Sequence, residues 1–376
     1  MTPPPRLFRL LLFLLLALPS ALPSALPPLP PPPSRTALCI GQDLSSVSAY
    51  LLTFPPPAMV SSYTNISDLN GLAEPVDYGS GVQHANGLAE LAPGADLLLG
   101  LWLGGSPGLS SLSSGALDPQ VSRLVSYLSS CPFPTVRVRV GYEFDNPAFG
   151  YSPPLLYVEA YKVLAAALAP LRAKGRVRLV WHSMAHPGST TPASLLAYYP
   201  GDALVDEVGV SLFEAPYSAE RMAAGPAVVA AFAAARSKPL LVAEASPYGA
   251  AGVLSPNVTS SWFSPVLSFL SSSRASAFCY VSADWQAQPM WAGSQFGDSR
   301  LTSNPRAFAW WNKHVILSPR FDPKREDGGG GGGALRAVAA SALVAAGAVF
   351  YWWWGSRPKR GGGGGTRSGG AYGSLE

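Results

Sequence analysis

Eight short apolar runs, separated by alanine- and leucine-rich stretches, constrain the fold of this chain more than any other feature. They are ALCIGQD from Ala37, AMVSSYT from Ala58, DLLLGLWL from Asp96, TVRVRVGYE from Thr135, RVRLVWHS from Arg176, VDEVGVSLF from Val205, PLLVAE from Pro239 and SAFCYVSADW from Ser276. Such runs, alternating with helical stretches, argue for parallel strands joined by helices. AMVSSYT has the weakest strand pattern of the eight. Helices are predicted at Pro119 to Ser130, Leu155 to Ala173, Ser218 to Ser237 and Ser260 to Ser271, the last kinked or shortened by Pro265. Residues 37–320 suffice for one closed (β/α)8 barrel, a fold of ~250 residues.

Both ends of the chain read differently. Arg6 and Arg9 precede and interrupt a leucine run that closes in ALPSALPSA, with small residues suited to cleavage near Ala21 or Ala25. Residues 1–25 therefore read as a secretory signal peptide. Residues 26–36 form a proline-rich extended spacer. After the barrel come a glycine-rich linker (321–336), an uncharged apolar run (337–354) and a basic, glycine-rich tail (355–376). As a helix the apolar run is about 27 Å long, near the minimum for a membrane span. Tyr351, Trp352, Trp353 and Trp354 suit the interface, and Arg357, Lys359 and Arg360 suit a cytoplasmic tail. The expectation is a single-pass type I membrane protein of the secretory pathway, with the barrel on the extracellular or lumenal side. A buried helix is the bland alternative, and the six glycines Gly328 to Gly333 argue against it by detaching the run.

In that setting Asn65-Ile-Ser67 and Asn257-Val-Thr259 are glycosylation acceptors. Three cysteines are too few for a disulfide scaffold. Cys39 and Cys279 fall on the first and last strands, which are neighbours in a closed barrel. Two buried thiols are the favoured reading there, and a bridge is the alternative. The net charge of +4 is small, and no basic aromatic patch suggests nucleic acid. The four histidines show no metal-ligand spacing, so neither metal nor organic cofactor is expected.

Polar residues gather at the carboxyl ends of the runs, where a barrel carries its active site. Asp43, Glu143, His182, Glu244, Asp284 and Trp285 all occupy such positions. Alternation along strand four puts Arg137, Arg139, Gly141 and Glu143 on one face, and Val136, Val138, Val140 and Tyr142 on the other. The valines suit the helix-covered outside. Two arginines then point inward and need carboxylates, with Asp43, Glu143 and Glu244 as candidates. On strand seven, Leu240, Val242 and Glu244 share a face. Two glutamates closing strands four and seven are the pair a retaining glycosidase uses as acid/base and nucleophile. A structural ion-pair network is the rival reading of the same residues.

The anchors IGQD (40–43), RVGYE (139–143), VWHS (180–183), YYPGD (198–202), VDEVGVSLF (205–213) and KPLLVAEAS (238–246) resemble glycoside hydrolase family 26. The resemblance covers roughly residues 40–315. It implies a β-mannanase-like retaining glycosidase acting on a β-linked polysaccharide, with Glu143 as acid/base, Glu244 as nucleophile and Arg139 behind them. Three features depart from the family pattern. Tyr142 stands where a histidine usually precedes the acid. Phe213 stands where a tyrosine usually orients the nucleophile. FDNPAFGY (144–151) replaces a tryptophan-rich stretch.

Trp285 and Trp291, in the loop after strand eight, are candidate sugar platforms, Trp285 foremost because it ends a strand. Asp284, Gln286, Gln288, Asp298 and Arg300 are candidate hydroxyl partners. Trp102, Tyr142, Phe144, Phe149, Tyr151 and Phe213 are candidate cleft residues, and His182 is expected to hydrogen-bond a rim carboxylate. Aromatic core and rim packing is the bland reading of these residues. Ser183 has no GxSxG elbow around it. A catalytically silent carbohydrate-binding barrel and a transglycosylase using the same carboxylates stand as rivals to hydrolysis.

Overall fold

The computed structural model describes residues 35–322. The signal peptide, nearly all of the spacer and linker, the apolar run and the tail lie outside the described residues.

Eight parallel strands close on themselves. They are β1 (Thr36–Gly41), β2 (Met59–Asn65), β3 (Asp96–Trp102), β4 (Val136–Val140), β5 (Val177–Ser183), β6 (Glu207–Leu212), β7 (Leu240–Ala245) and β8 (Ala277–Val281). Each pairs with the next, and β8 pairs back onto β1, with Cys39 opposite Cys279. The weak second run forms β2, which pairs with β3 over its whole length, from Met59↔Asp96 to Asn65↔Trp102. Thr36 and Ala37 also pair with Phe321 and Asp322, so the barrel unit runs slightly beyond 37–320 at both ends.

The strands are apolar on both faces because both are buried. Outward residues such as Val136, Val138 and Val140 pack with the helices. Inward residues Cys39, Met59, Leu98, Val180, Leu241, Ala243 and Cys279 fill the interior. Cys39 and Cys279 are free thiols there, with their sulfurs 2.8 Å apart.

The helices follow their sequence signals. Asp43 caps α1 (Leu44–Leu51) by accepting from the Ser45 and Ser46 amides. Further round lie α2 (Asp118–Ser130) and α3 (Pro154–Ala173). The helix expected over 218–237 is broken into α4 (Ala219–Ala224) and α5 (Pro226–Ala235). Pro226 lacks the N–H that would carry the helix on. Gly225 lies so close to the Ala185 carbonyl that a Cβ there would meet it at 2.0 Å. Pro265 sits where a π-helical turn (Thr259–Phe263) runs into α6 (Ser264–Ser272), so the expected helix from Ser260 is not one regular α-helix.

The floor of the barrel corrects one expectation. Arg137 does point inward, but its carboxylates are Asp96 at 2.8 Å and Glu207 at 3.0 Å. Glu207 also takes Arg178 at 2.9 Å. Asp43 pairs with neither inward arginine. As the cap of α1 it also receives the Ser45 and Ser46 hydroxyls and, at 3.3 Å, the Gln288 amide.

Candidate active site

Arg139 stands one layer above Arg137 and is fully buried. Its partner is Glu244, bound through the guanidinium Nη1. Gly100 on β3 makes room for it, since a Cβ there would lie 2.8 Å from Nη2. The rings of Tyr63 and Tyr142 flank the guanidinium, at 4.8 and 5.3 Å. Alternation had placed Tyr142 outside with the valines. The chain instead turns at Gly141, whose φ is +55°, and swings Tyr142 over the mouth. Glu143 follows with φ +49°, a left-handed conformation that costs a non-glycine residue energy and recurs at functional sites.

Glu244 reaches the mouth by a device that strict alternation misses. Leu241 and Ala243 line the interior, while Leu240 and Val242 pack outward. The face assigned from sequence is therefore reversed, and Glu244 in that phase would point outward. A bulge corrects it: Val210 pairs with Val242, but Ser211 pairs with Glu244. Ala243 and Glu244 thus both face in. Bulges commonly re-aim a side chain beside an active site.

Glu143 is 6% exposed. Its Oε1 accepts from the Ser211 hydroxyl at 2.6 Å and its Oε2 from the Asn146 amide at 3.0 Å. Burial, and after it the charge of Glu244, push its carboxyl up to about 7, against the smaller opposing effect of those hydrogen bonds. Glu244, by contrast, is paired with Arg139. One carboxyl is kept protonated near neutrality and the other stands against a buried cation. That is the division an acid and a nucleophile need.

No family model matches the sequence. Over 314 aligned positions the chain is 28% identical to a β-1,3-xylanase from Alcaligenes sp and 27% identical to one from Vibrio sp, in each case over 77% of this chain. It spans 65% and 66% of those relatives' lengths, just short of two thirds. In fold it is similar to a family 26 β-mannanase from Bacteroides ovatus, with TM-score 0.55 at 13% identity over 79% of this chain and 95% of that one. A modular endo-β-1,4-mannanase from Cellulomonas fimi gives TM-score 0.55 at 16% identity, over 77% of this chain and 74% of that one. In fold the barrel is therefore similar to these family 26 β-mannanases.

Around the two carboxylates, some expected rim residues prove to be core. Trp285 is 2% exposed, its Nε1 donates to Ser299 Oγ at 2.9 Å, and Trp291 and Phe296 pack against its ring. It has no free face for a sugar, which corrects the platform reading. Phe144 is stacked on Trp181 at 4.3 Å, and Tyr151 is buried and accepts the Leu103 amide. Asp284 and Asp298 are both held by Arg300, at 2.9 and 2.7 Å, so the loop is knitted by its own ion pairs. Of the expected ligand residues, Trp102 is 36% exposed, Gln286 is exposed, and Trp291, Tyr142, Phe149, Phe213 and Gln288 are half-buried. Phe149 packs edge-on against Tyr142 at 5.3 Å. Phe213 faces Phe296 and Trp285.

His182 is fully buried beneath this rim, bonded at 3.0 Å to Ser211 and so only indirectly to Glu143. Ser211, Asn146 and Tyr63 were not anticipated. Ser211 was findable as a small polar residue on the same face as Glu207, Gly209 and Phe213, alternating with the apolar Val208, Val210 and Leu212. Asp145 was missed too; it receives the Ser183 hydroxyl and the Met184 amide, both at 2.6 Å, and ties the Glu143 loop to β5. Asn257 is exposed and Asn65 half-buried at the end of β2. Among the described residues no three His, Cys, Asp or Glu side chains converge as a metal site.

Proposed function

We propose that this chain is an endo-acting, retaining β-glycosidase that hydrolyses a β-linked polysaccharide. The observation that carries the reading is the unequal treatment of two mouth carboxylates, Glu143 pushed up to about 7 and Glu244 paired with buried Arg139. Glu244 attacks the anomeric carbon while Glu143 protonates the departing oxygen. Glu143, now ionised, draws a proton from water, which releases the sugar from Glu244. Burial serves this cycle, because the same carboxyl must give a proton and take one back near neutral pH.

The xylanase relatives put β-1,3-xylan first among substrates, with β-mannan and mixed-linkage β-glucan behind it. The test is a reducing-sugar screen against these three polymers, with NMR of the first-formed anomer. Release of reducing ends with retained configuration supports the reading. Release of an inverted anomer, or no release from any polymer, rejects it.

A membrane tether is the second part of the proposal, resting on the apolar run 337–354 and the basic residues after it. The barrel then lies on the extracellular or lumenal side. Protease added to sealed microsomes is expected to remove only the tail. Recovery of the full-length chain in an alkaline-wash supernatant rejects the tether and leaves the chemistry untouched.

A further inference from the structure

Behind Glu143 lies a second row of side chains that the two-carboxylate mechanism does not use. His182 Nε2 is 3.0 Å from Ser211 Oγ, and Ser211 Oγ is 2.6 Å from Glu143 Oε1. His182 is fully buried and Ser211 is 2% exposed. The row crosses two strands, since β5 carries His182 and β6 carries Ser211. It passes over Gly209, the register partner of His182, where a Cβ would lie 3.1 Å from the imidazole. A side chain at 209 would crowd the ring out of line. The absence of one lets the ring lie across β6 toward Ser211.

A serine hydroxyl has one proton and can donate it in one direction only. The direction here follows from what surrounds the imidazole. Its Nδ1 has no hydrogen-bond partner among the described residues. A buried N–H without an acceptor is rarer, and costs more, than a buried lone pair without a donor. The ring is neutral, because burial and then the charge of Arg139 push it well below the usual histidine range. A neutral imidazole carries one N–H, and the arrangement favours that proton on Nε2. Nε2–H then donates to Ser211 Oγ, and Ser211 donates to Oε1 of Glu143.

We propose that His182 and Ser211 are positioning residues for the acid: together they keep Oε1 as an acceptor, so that the proton Glu143 transfers is carried by Oε2. This rests on the glycosidase reading above. It adds which oxygen is the acid and what holds it so. Oε2 also accepts the Asn146 amide at 3.0 Å, which fixes the carboxyl plane without taking the proton. Because the Ser211 bond is strongest to the ionised carboxyl, it eases release of the proton in the acid step. The other charged and titratable groups around Glu143 are Glu244 from β7, Asp145 from its own loop, and Tyr142 and Tyr151 beside it.

The experiment uses the full-length chain in two arms. The first is nitrogen NMR of histidine-labelled protein, where four histidines keep the spectrum assignable. His182 is expected as the Nε2–H tautomer from pH 5 to pH 9; an Nδ1–H tautomer or a protonated ring overturns the proposal. The second arm is the pH profile of kcat/KM for wild type, Ser211→Ala and Ser211→Thr. Loss of the hydroxyl removes a hydrogen bond to a charged group, so the alkaline limb of Ser211→Ala should rise by about one to two pH units. Ser211→Thr keeps the hydroxyl and should restore the limb. Equal melting temperatures exclude misfolding as the cause. An unmoved limb in active Ser211→Ala overturns the proposal while leaving the glycosidase reading intact. A wild type inactive on every polymer sinks the glycosidase reading, and the tautomer arm then decides the hydrogen-bond row alone.

Discussion

Arg139 and Glu244 form a buried ion pair that joins β4 to β7. Their union leaves Glu143 as the carboxyl without a cation. Desolvation and then the neighbouring charge of Glu244 raise the proton affinity of Glu143, while Glu244 stands against the guanidinium.

Kinetic consequences follow for each glutamate. Glu143→Gln is expected to lower turnover of polysaccharide by about 10²–10⁴-fold. An aryl glycoside with a good leaving group should still undergo the first step, and azide should restore turnover as a glycosyl azide. Glu244→Gln should lose both steps, with no azide rescue of retained product. Steady-state assays on the two substrate classes check this. Equal losses on both substrates for both variants would contradict the division of labour.

The raised carboxyl also makes a stability prediction. A group whose folded-state value is raised contributes stability that is present below its unfolded value and lost as pH rises through the folded one. For Glu143 that window runs from the ordinary 4.5 to about 7. The unfolded chain releases this proton first, so stability falls as pH climbs through the window. Glu143→Gln removes the penalty, which is on the order of 3 kcal/mol when fully developed. Melting curves at pH 4.5 and pH 8 should show the variant gaining on wild type only at the higher pH. An identical difference at both would mean that Glu143 titrates normally.

How far the site was legible depends on where local rules hold. The eight runs and their order were readable because apolar runs bounded by turns report burial directly, even for AMVSSYT. Arg139 was expected to need one of Asp43, Glu143 and Glu244; Glu143 is out of reach along the same strand, since residues four apart there are ~13 Å distant, and the partner found is Glu244. Glu244 was placed inward from the wrong phase, because a bulge at Ala243 leaves no mark in an alternating pattern. Tyr142 was placed outward because the turn at Gly141 cancels alternation. Trp285 was taken for rim because a strand end looks the same whether the following loop folds over it or away. The loop 282–300 folds over it, fastened by Arg300.

Breaking the mouth pair has a direct cost. Arg139→Ala would leave Glu244 buried without its cation, and removal of one partner of a buried pair costs about 3–5 kcal/mol. Urea unfolding should show this loss in midpoint with little change in slope. Activity should fall as well, since Glu244 then loses the guanidinium that holds it in place. A variant as stable as wild type would mean that the pair is solvated in solution.

The floor network separates stability from chemistry. Glu207 is 2% exposed and binds Arg137 and Arg178 at the amino-terminal ends of the strands, away from the mouth. Glu207→Gln removes the shared anion but leaves Arg137 with Asp96, so the loss should be near the lower end of the range, about 3 kcal/mol. kcat/KM of the folded fraction should match wild type. A matching fall in kcat/KM would show that the floor sets the position of Arg139.

Two tryptophans should part company when each is cut to alanine. Trp285 is packed and hydrogen-bonded through its Nε1, so its loss opens a cavity and should destabilise by about 3–5 kcal/mol. Substrate affinity is then weakened only through whatever Trp291 and Phe296 lose in support. Trp102 closes β3 with a third of its surface free and should cost little stability. If its ring stacks on a sugar, its loss should raise KM roughly two- to tenfold, as ~0.5–1.5 kcal/mol of stacking implies. Thermal melts and KM on a soluble oligosaccharide distinguish the two. A raised KM with unchanged stability in Trp285→Ala, and the reverse in Trp102→Ala, would return Trp285 to the rim and demand a different course for the loop after strand eight.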